Sequence, residues 1–170
     1  MEKIPVYVIN GFLDSGKSSF YSYTIGQPYF QSKDRTLLIL CEEGEVEFGE
    51  KLLKQTRTDL ERIENPEDFT PAALMALNAK YHPGRVLIEW NGMWNQDELR
   101  LPQDWEVYQQ ITIIDGSTFD LYVKNMKPLL GAMDRNSELI ICNRCDDVED
   151  LEGYRRNLLA MNNQAEIVFE

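Results

Sequence analysis

The stretch Gly11-Phe12-Leu13-Asp14-Ser15-Gly16-Lys17-Ser18 satisfies G-x-x-x-x-G-K-[ST] at every fixed position, and no other part of the chain constrains the fold as strongly. It follows Ile4 to Asn10 (IPVYVIN), which is apolar and β-branched, and it opens Lys17 to Ile25, which reads as a helix. A buried strand, a glycine-bounded loop and a helix, in that order, are the setting in which this pattern wraps a phosphate chain. Glycines at both ends let the backbone approach closely. Successive N–H groups then turn inward, and the positive end of the helix faces the anion. The pattern assigns Lys17 to the β- and γ-phosphates and the Ser18 hydroxyl to a Mg²⁺, with Gly11, Ser15, Gly16 and Ser19 completing the nucleotide contacts. Asp14 places a carboxylate inside the same loop. It either points away from the phosphates or handles the attacking water or a partner group.

Short β-rich runs alternate with helical segments along the rest of the chain. Thr36 to Glu42 (TLLILCE), Arg85 to Trp90 (RVLIEW), Gln110 to Asp115 (QITIID), Glu138 to Asn143 (ELIICN) and Ala165 to Phe169 (AEIVF) read as further strands. Continuous apolar runs of this length are expected where a parallel strand is covered on both faces. Phe48 to Leu53, Pro66 to Tyr81, Thr118 to Asp134 and Leu151 to Asn162 read as helices, with Pro128 kinking or shortening the third. Phe69, Ala73, Leu74 and Leu77 fall on one face of the Pro66 to Tyr81 helix, which His82-Pro83-Gly84 ends. The pattern predicts an α/β domain: three layers, with a mainly parallel sheet covered by helices on both faces and right-handed crossovers. Ligands of such sheets bind beyond the carboxyl ends of the strands. One domain suits 170 residues.

Charge narrows the partners. A formal net charge of −12 argues against a general nucleic-acid binder, which needs a basic surface to displace counterions. It does not prevent nucleotide binding, since a loop of this kind holds phosphate with backbone N–H groups and one lysine. No apolar run approaches the roughly 20 residues that span a bilayer, and the N-terminus lacks signal-peptide architecture, so a cytoplasmic location is expected. The three cysteines, Cys41, Cys142 and Cys145, are too few for a disulfide framework. Cys142 and Cys145 form a C-x-x-C, but a tetrahedral zinc site of Cys and His alone would need all three together with the single histidine, His82.

Four stations in order, beginning with the phosphate loop, carry a family resemblance. Val6 to Phe20 (VYVINGFLDSGKSSF) resembles the start of the CobW-type GTPases, relatives of the HypB and UreG metallochaperones, whose loop typically reads G-F-L-G-A-G-K-T-T. Asp14, Ser15, Ser18 and Ser19 depart from it. Cys41-Glu42-Glu43-Gly44-Glu45-Val46 is similar to the family's N-E-F-G-E-V, and the resemblance makes Glu42 a carboxylate on the Mg²⁺ side, in a segment that responds to the γ-phosphate. Leu87-Ile88-Glu89-Trp90-Asn91-Gly92 resembles I-E-T-T-G, which brings Glu89 toward the metal or the attacking water and gives Gly92 a backbone N–H that senses the γ-phosphate. Cys142-Asn143-Arg144-Cys145-Asp146 stands where the family has N-K-x-D. There Asp146 accepts hydrogen bonds from guanine, Asn143 braces the loop or the base edge, and Arg144 replaces a lysine whose stem lies along the purine, a change that is not neutral. Ile113 to Gly116 and Met161 to Ile167 continue the likeness.

The resemblance implies a Mg²⁺-dependent GTPase in which Lys17, Glu42 and Glu89 act on the reaction, Ser18, Glu42 and Glu89 serve the metal, and GTP or GDP is the ligand. No arginine stands out as a finger, so intrinsic turnover on the order of 10⁻⁴ to 10⁻² s⁻¹ is expected. A homodimer around the nucleotide, or a client protein, is the implied partner. Two features depart from the family. Thr56 to Phe69 holds no cysteine where a C-x-C-C motif is usual, which argues against family-style handling of zinc or another transition metal. The sequence also stops at Glu170, where relatives continue into a C-terminal domain. A nucleotide-gated interaction module with little turnover and a small-molecule phosphotransferase stay open as alternatives.

Overall fold

The computed structural model describes residues 3–12, 15–42, 48–135 and 137–170. Seven strands form one sheet in the order β3-β2-β4-β1-β5-β6-β7, with β1 (Ile4–Asn10) at its centre. All six neighbouring pairs run parallel. The strands are β2 (Thr36–Leu40), β3 (Thr58–Arg62), β4 (Arg85–Glu89), β5 (Trp105–Asp115), β6 (Leu139–Asn143) and β7 (Glu166–Phe169). The helices are α1 (Lys17–Ile25), α2 (Glu50–Gln55), α3 (Pro71–Tyr81), α4 (Phe119–Asn125), α5 (Lys127–Arg135) and α6 (Leu151–Met161).

The sheet is covered on both faces, as the alternation of strands and helices predicts. On one face, Tyr21 and Ile25 of α1, together with Phe48, Leu52 and Leu53, pack over Ile9, Leu38, Leu40, Leu87, Ile111 and Ile113. The opposite face carries two apolar clusters. Leu74 and Leu77 of α3 cover Val6, Val8, Leu37, Ile39, Val86 and Ile88. Phe119, Leu130, Met133, Tyr154 and Leu158, from α4 to α6, cover Ile114, Ile140 and Cys142. Burying a Leu or Ile side chain in this way contributes about 1.5–3 kcal/mol.

A strip of buried polar side chains separates these two clusters. Asn10 and Thr112 are register partners on β1 and β5, and Gln110 lies two residues before Thr112 on the same face. Thr112 shares a hydrogen bond with Ser137, and its hydroxyl donates to the Met133 carbonyl at 3.2 Å. Asn10 Nδ2 donates to Gln96 Oε1 at 3.2 Å.

Several elements differ from their sequence-based bounds. The Pro66 to Tyr81 segment is a single 3₁₀ turn (Pro66–Asp68) followed by α3, which begins only at Pro71. A residue before proline is driven out of the helical region, and Thr70 is extended at φ −123, ψ 153. Its hydroxyl instead caps α3, accepting the Ala73 N–H at 3.1 Å. Phe69, assigned to the helix face, is fully buried ahead of the helix. Thr118 to Asp134 is broken at Met126 into α4 and α5, with Pro128 in the first turn of α5, where it displaces no helical hydrogen bond. Strand β3 (TDLER) has no counterpart in the sequence reading, and β5 starts five residues before Gln110.

Candidate functional site

The loop after β1 leaves the centre of the sheet at its carboxyl edge, between β4 and β5. Gly16 sits at φ +111, a region costly for any residue with a Cβ, and a Cβ there would lie 2.9 Å from Asn143 Nδ2. At Gly11 a Cβ would lie 2.5 Å from Ser15 Oγ and 2.6 Å from the Ile113 carbonyl. Gly92, after β4, is packed so closely that a Cβ would strike the Gly11 carbonyl. Glycines at 11, 16 and 92 therefore let three backbone segments meet at one point.

An ion pair and a charge-assisted hydrogen bond converge here. Lys17, 3% exposed at the start of α1, donates to Glu42 Oε1 and to the Gly11 carbonyl, and reaches the Phe12 carbonyl at 3.2 Å. The Ser18 hydroxyl lies 2.7 and 2.9 Å from the two carboxylate oxygens of Glu89, which is 4% exposed at the end of β4. The two acids thus take different partners: Glu89 stands on the serine side and Glu42 on the lysine side. The β2–β4 pairing sets their spacing, with Leu40 opposite Glu89 and the Cys41 N–H donating to the Glu89 carbonyl at 3.0 Å. Beneath them, the Tyr21 hydroxyl donates to the Tyr7 carbonyl at 2.9 Å; burial, and then the Glu89 charge, push its pKa well above the ordinary value.

The other side of the loop meets the end of β6. Asn143 Nδ2 donates to the Ser15 carbonyl at 3.4 Å, and Asn143 Oδ1 accepts the Arg144 N–H at 3.0 Å. Arg144 has a left-handed backbone at φ +57 and an ion pair with Asp115 at 2.7 Å. Burial pushes the Asp115 carboxyl up, but hydrogen bonds from Ser117 and Arg144 outweigh it and hold the group below its ordinary value. Asp146 is exposed beside an open cavity of about 590 Å³, lined by Gly116, Ser117, Asp120, Arg144, Asp146 and Tyr154. The Tyr154 hydroxyl donates to the Gly116 carbonyl at 2.9 Å; burial and then the Asp120 charge raise its pKa to about 12.

The candidates Gly11, Ser15, Gly16, Lys17, Ser18, Glu42, Glu89, Gly92 and Asn143 are therefore brought together. Arg144 and Asp146 flank them beside the cavity, and Ser19 is exposed in the first turn of α1. Asp14, and the stretch from Glu43 to Glu47 that includes Gly44, Glu45 and Val46, lie outside the described residues. Among the described residues, no three His, Cys, Asp or Glu side chains come together as a metal-holding group. In the sequence pattern Asp115 only ends a strand. Its signal was the one that marked Glu89, a carboxylate closing an apolar run.

The architecture can be placed among known proteins. No curated protein sequence matches the chain. The Zn(II)-bound YjiA GTPase from E. coli superposes with a TM-score of 0.69 at 19% identity, over 98% of this chain and 57% of that one. This chain thus spans somewhat more than half the length of that protein. HypB, a hydrogenase maturation factor from Archaeoglobus fulgidus, gives a TM-score of 0.65 at 16% identity, covering 98% and 81% of the two chains. HypB from Helicobacter pylori in complex with nickel gives 0.60 at 12%, covering 98% and 78%. The sequence model described as the CobW/HypB/UreG nucleotide-binding domain matches residues 5–169. With that match spanning nearly the whole sequence, the chain belongs to the CobW/HypB/UreG family of nucleotide-binding domains.

Proposed function

We propose that this protein is a Mg²⁺-dependent GTP-binding and GTP-hydrolysing switch. The observation that carries the reading is the pairing of Lys17 with Glu42 and of Ser18 with Glu89 around one glycine-walled loop.

The residues present fit the ligands. Ser18 and Glu89 offer a hydroxyl and a carboxylate side by side, the oxygen donors that a hard cation takes. Mg²⁺, when bound there, neutralises charge on the phosphate oxygens. Lys17 exchanges a carboxylate partner for phosphate oxygens of the same charge. The N–H groups at the start of α1 bind and orient the β-phosphate. Glu89 holds the Ser18 hydroxyl in position, and Gly92, packed on the Gly11 carbonyl, ties its segment to the phosphate loop. Glu42 is released when Lys17 turns to phosphate, which couples the segment after β2 to the nucleotide. Catalysis of this kind rests on positioning and charge rather than covalent chemistry.

For the base, Asp146 accepts from the guanine edge, Asn143 braces the loop, and Arg144, fixed by Asp115, lines the purine side. Likeness to YjiA and HypB supports a role near metal handling, in one cytoplasmic domain acting on a client protein or as a homodimer. No helix among the described residues is long and apolar enough to cross a membrane.

Nucleotide selectivity tests the reading. The intact chain is expected to bind GTP well above ATP, and Asp146→Asn to weaken GTP while improving xanthosine triphosphate. Equal binding of ATP and GTP by the unaltered protein would overturn guanine recognition. Binding of GTP with no Lys17-dependent release of phosphate would leave a gated interaction module instead.

A further inference from the structure

Cys142 near the end of β6 and Cys145 in the loop after it take no part in the reading above, yet their sulfurs are in contact. Cys145 Sγ lies 2.9 Å from Cys142 Sγ and 3.2 Å from the Cys142 carbonyl oxygen. We propose that Cys142 and Cys145 are a thiol-modification site, a dithiol that a low-molecular-weight disulfide converts to an intramolecular disulfide locking residues 143–146 onto the end of β6.

The surroundings press the sulfurs together. The left-handed backbone of Arg144 turns the chain so that positions 142 and 145 converge. The last residue holds both ends of the turn, since the Cys145 N–H donates to the Glu170 carbonyl and the Glu170 N–H to the Cys142 carbonyl, each at 2.8 Å. On the third side, a Cβ at Gly116 would lie 2.6 Å from Cys145 Sγ, so the Cys145 sulfur fills space that only glycine leaves. A disulfide bond is about 2.05 Å long, so closing it moves the sulfurs by less than about 1 Å. Oxidation therefore fixes the present loop rather than distorting it.

Access sets the order of events. Cys142 is fully buried, whereas Cys145 keeps 7% exposure between the exposed Arg144 and Asp146. The Cys145 thiolate attacks the disulfide RSSR, forming a Cys145–S–SR bond and releasing RS⁻. The Cys142 sulfur then attacks Cys145 Sγ, its proton passes to RS⁻, and a second RS⁻ leaves and is protonated by solvent. Two thiols are oxidised and one RSSR is reduced to two RSH. Burial pushes the Cys142 thiol up, in keeping with a resolving rather than an attacking role. Cys41, buried in the cluster under α3, lies outside the pair.

The test equilibrates the full chain in graded mixtures of reduced and oxidised glutathione, then quenches it, alkylates it after denaturation and maps the peptides. The expected product is a Cys142–Cys145 disulfide with Cys41 alkylated in the same molecules, absent in Cys145→Ser. Closing so short a ring is expected to slow amide hydrogen exchange across residues 143–147 by roughly tenfold. Glutathione adducts without the internal bond overturn the proposal. So does an internal bond that leaves exchange in the loop unchanged. Both readouts run without nucleotide, so a failure of guanine recognition, on which the proposed function rests, is seen separately.

Discussion

The Ser18 hydroxyl is shared between both carboxylate oxygens of Glu89, at 2.7 and 2.9 Å, across 71 positions of sequence. A carboxylate that contacts the metal-side serine through both oxygens is placed to act on charge near the phosphates. Glu89→Gln keeps the shape and one acceptor but removes the charge. It is expected to lower single-turnover GTP hydrolysis by about 10²–10³, the usual scale for losing one electrostatic stabiliser. Fluorescent-nucleotide titration is expected to show binding within a few-fold of wild type. Unchanged hydrolysis would remove Glu89 from the reaction.

Gly92→Ala probes the meeting of backbone segments. Its Cβ would strike the Gly11 carbonyl and lie 3.0 Å from Met133 Sδ. Main chain gives way at higher cost than a side-chain tip, so overpacking here is expected to destabilise by about 1–3 kcal/mol in urea denaturation. It should also weaken GTP binding more than Gly49→Ala, which meets nothing within 4 Å. Equal effects at the two positions would contradict the packing.

Asp115 makes the acid limb of stability informative. Its folded-state pKa lies below the ordinary value because the Ser117 and Arg144 hydrogen bonds outweigh burial. A depressed carboxylate stabilises the fold at pH above its unfolded value, about 3.9, and loses that contribution as pH falls through the lower folded value. Asp115→Asn is therefore expected to be less stable than wild type at pH 7, with the gap closing below about pH 4. Denaturant midpoints across pH 2.5–7 measure it.

Thr70→Ala removes the acceptor that caps α3. A lost cap of this kind costs about 1 kcal/mol, and Thr70→Ser should recover most of it. Thermal denaturation of the two variants distinguishes the hydroxyl from the methyl group.

Much of this site was legible because it is built from residues at the ends of apolar runs. Ile4–Asn10 and Lys17–Ile25 have the predicted bounds, so Lys17 and Ser18 fall where the loop pattern requires. Glu89 closes a strand whose four preceding positions are Arg and three apolar residues, and the carboxylate shows against that background. Strand β3 was hidden for the opposite reason. As an edge strand it pairs on one side only, through residues Thr58 to Arg62, whose polarity reads as loop. The first half of β5 was hidden for another reason: Glu106, Val107 and Tyr108 are all exposed, so it lacks the continuous buried run that marks its second half. The Asp115–Arg144 pair was out of reach of any linear reading. It needs Asp115 opposite Asn143 in the β5–β6 register and a left-handed turn at Arg144.

The strip of Asn10, Thr112, Gln110 and Ser137 changes what the sheet face is mechanically. Interdigitated apolar side chains behave like meshed teeth, and sliding them past one another opens voids on every tooth at once. Across the strip the links are few and separate, Asn10 to Gln96 and Thr112 to Ser137 and the Met133 carbonyl, so one can break without opening voids all along the face. The face is therefore two meshed blocks joined by a few discrete links, with the β1–β5 backbone ladder holding them in register. Gly11 follows Asn10 directly, so a ligand held by the loop after β1 sits at the end of that seam rather than on either block.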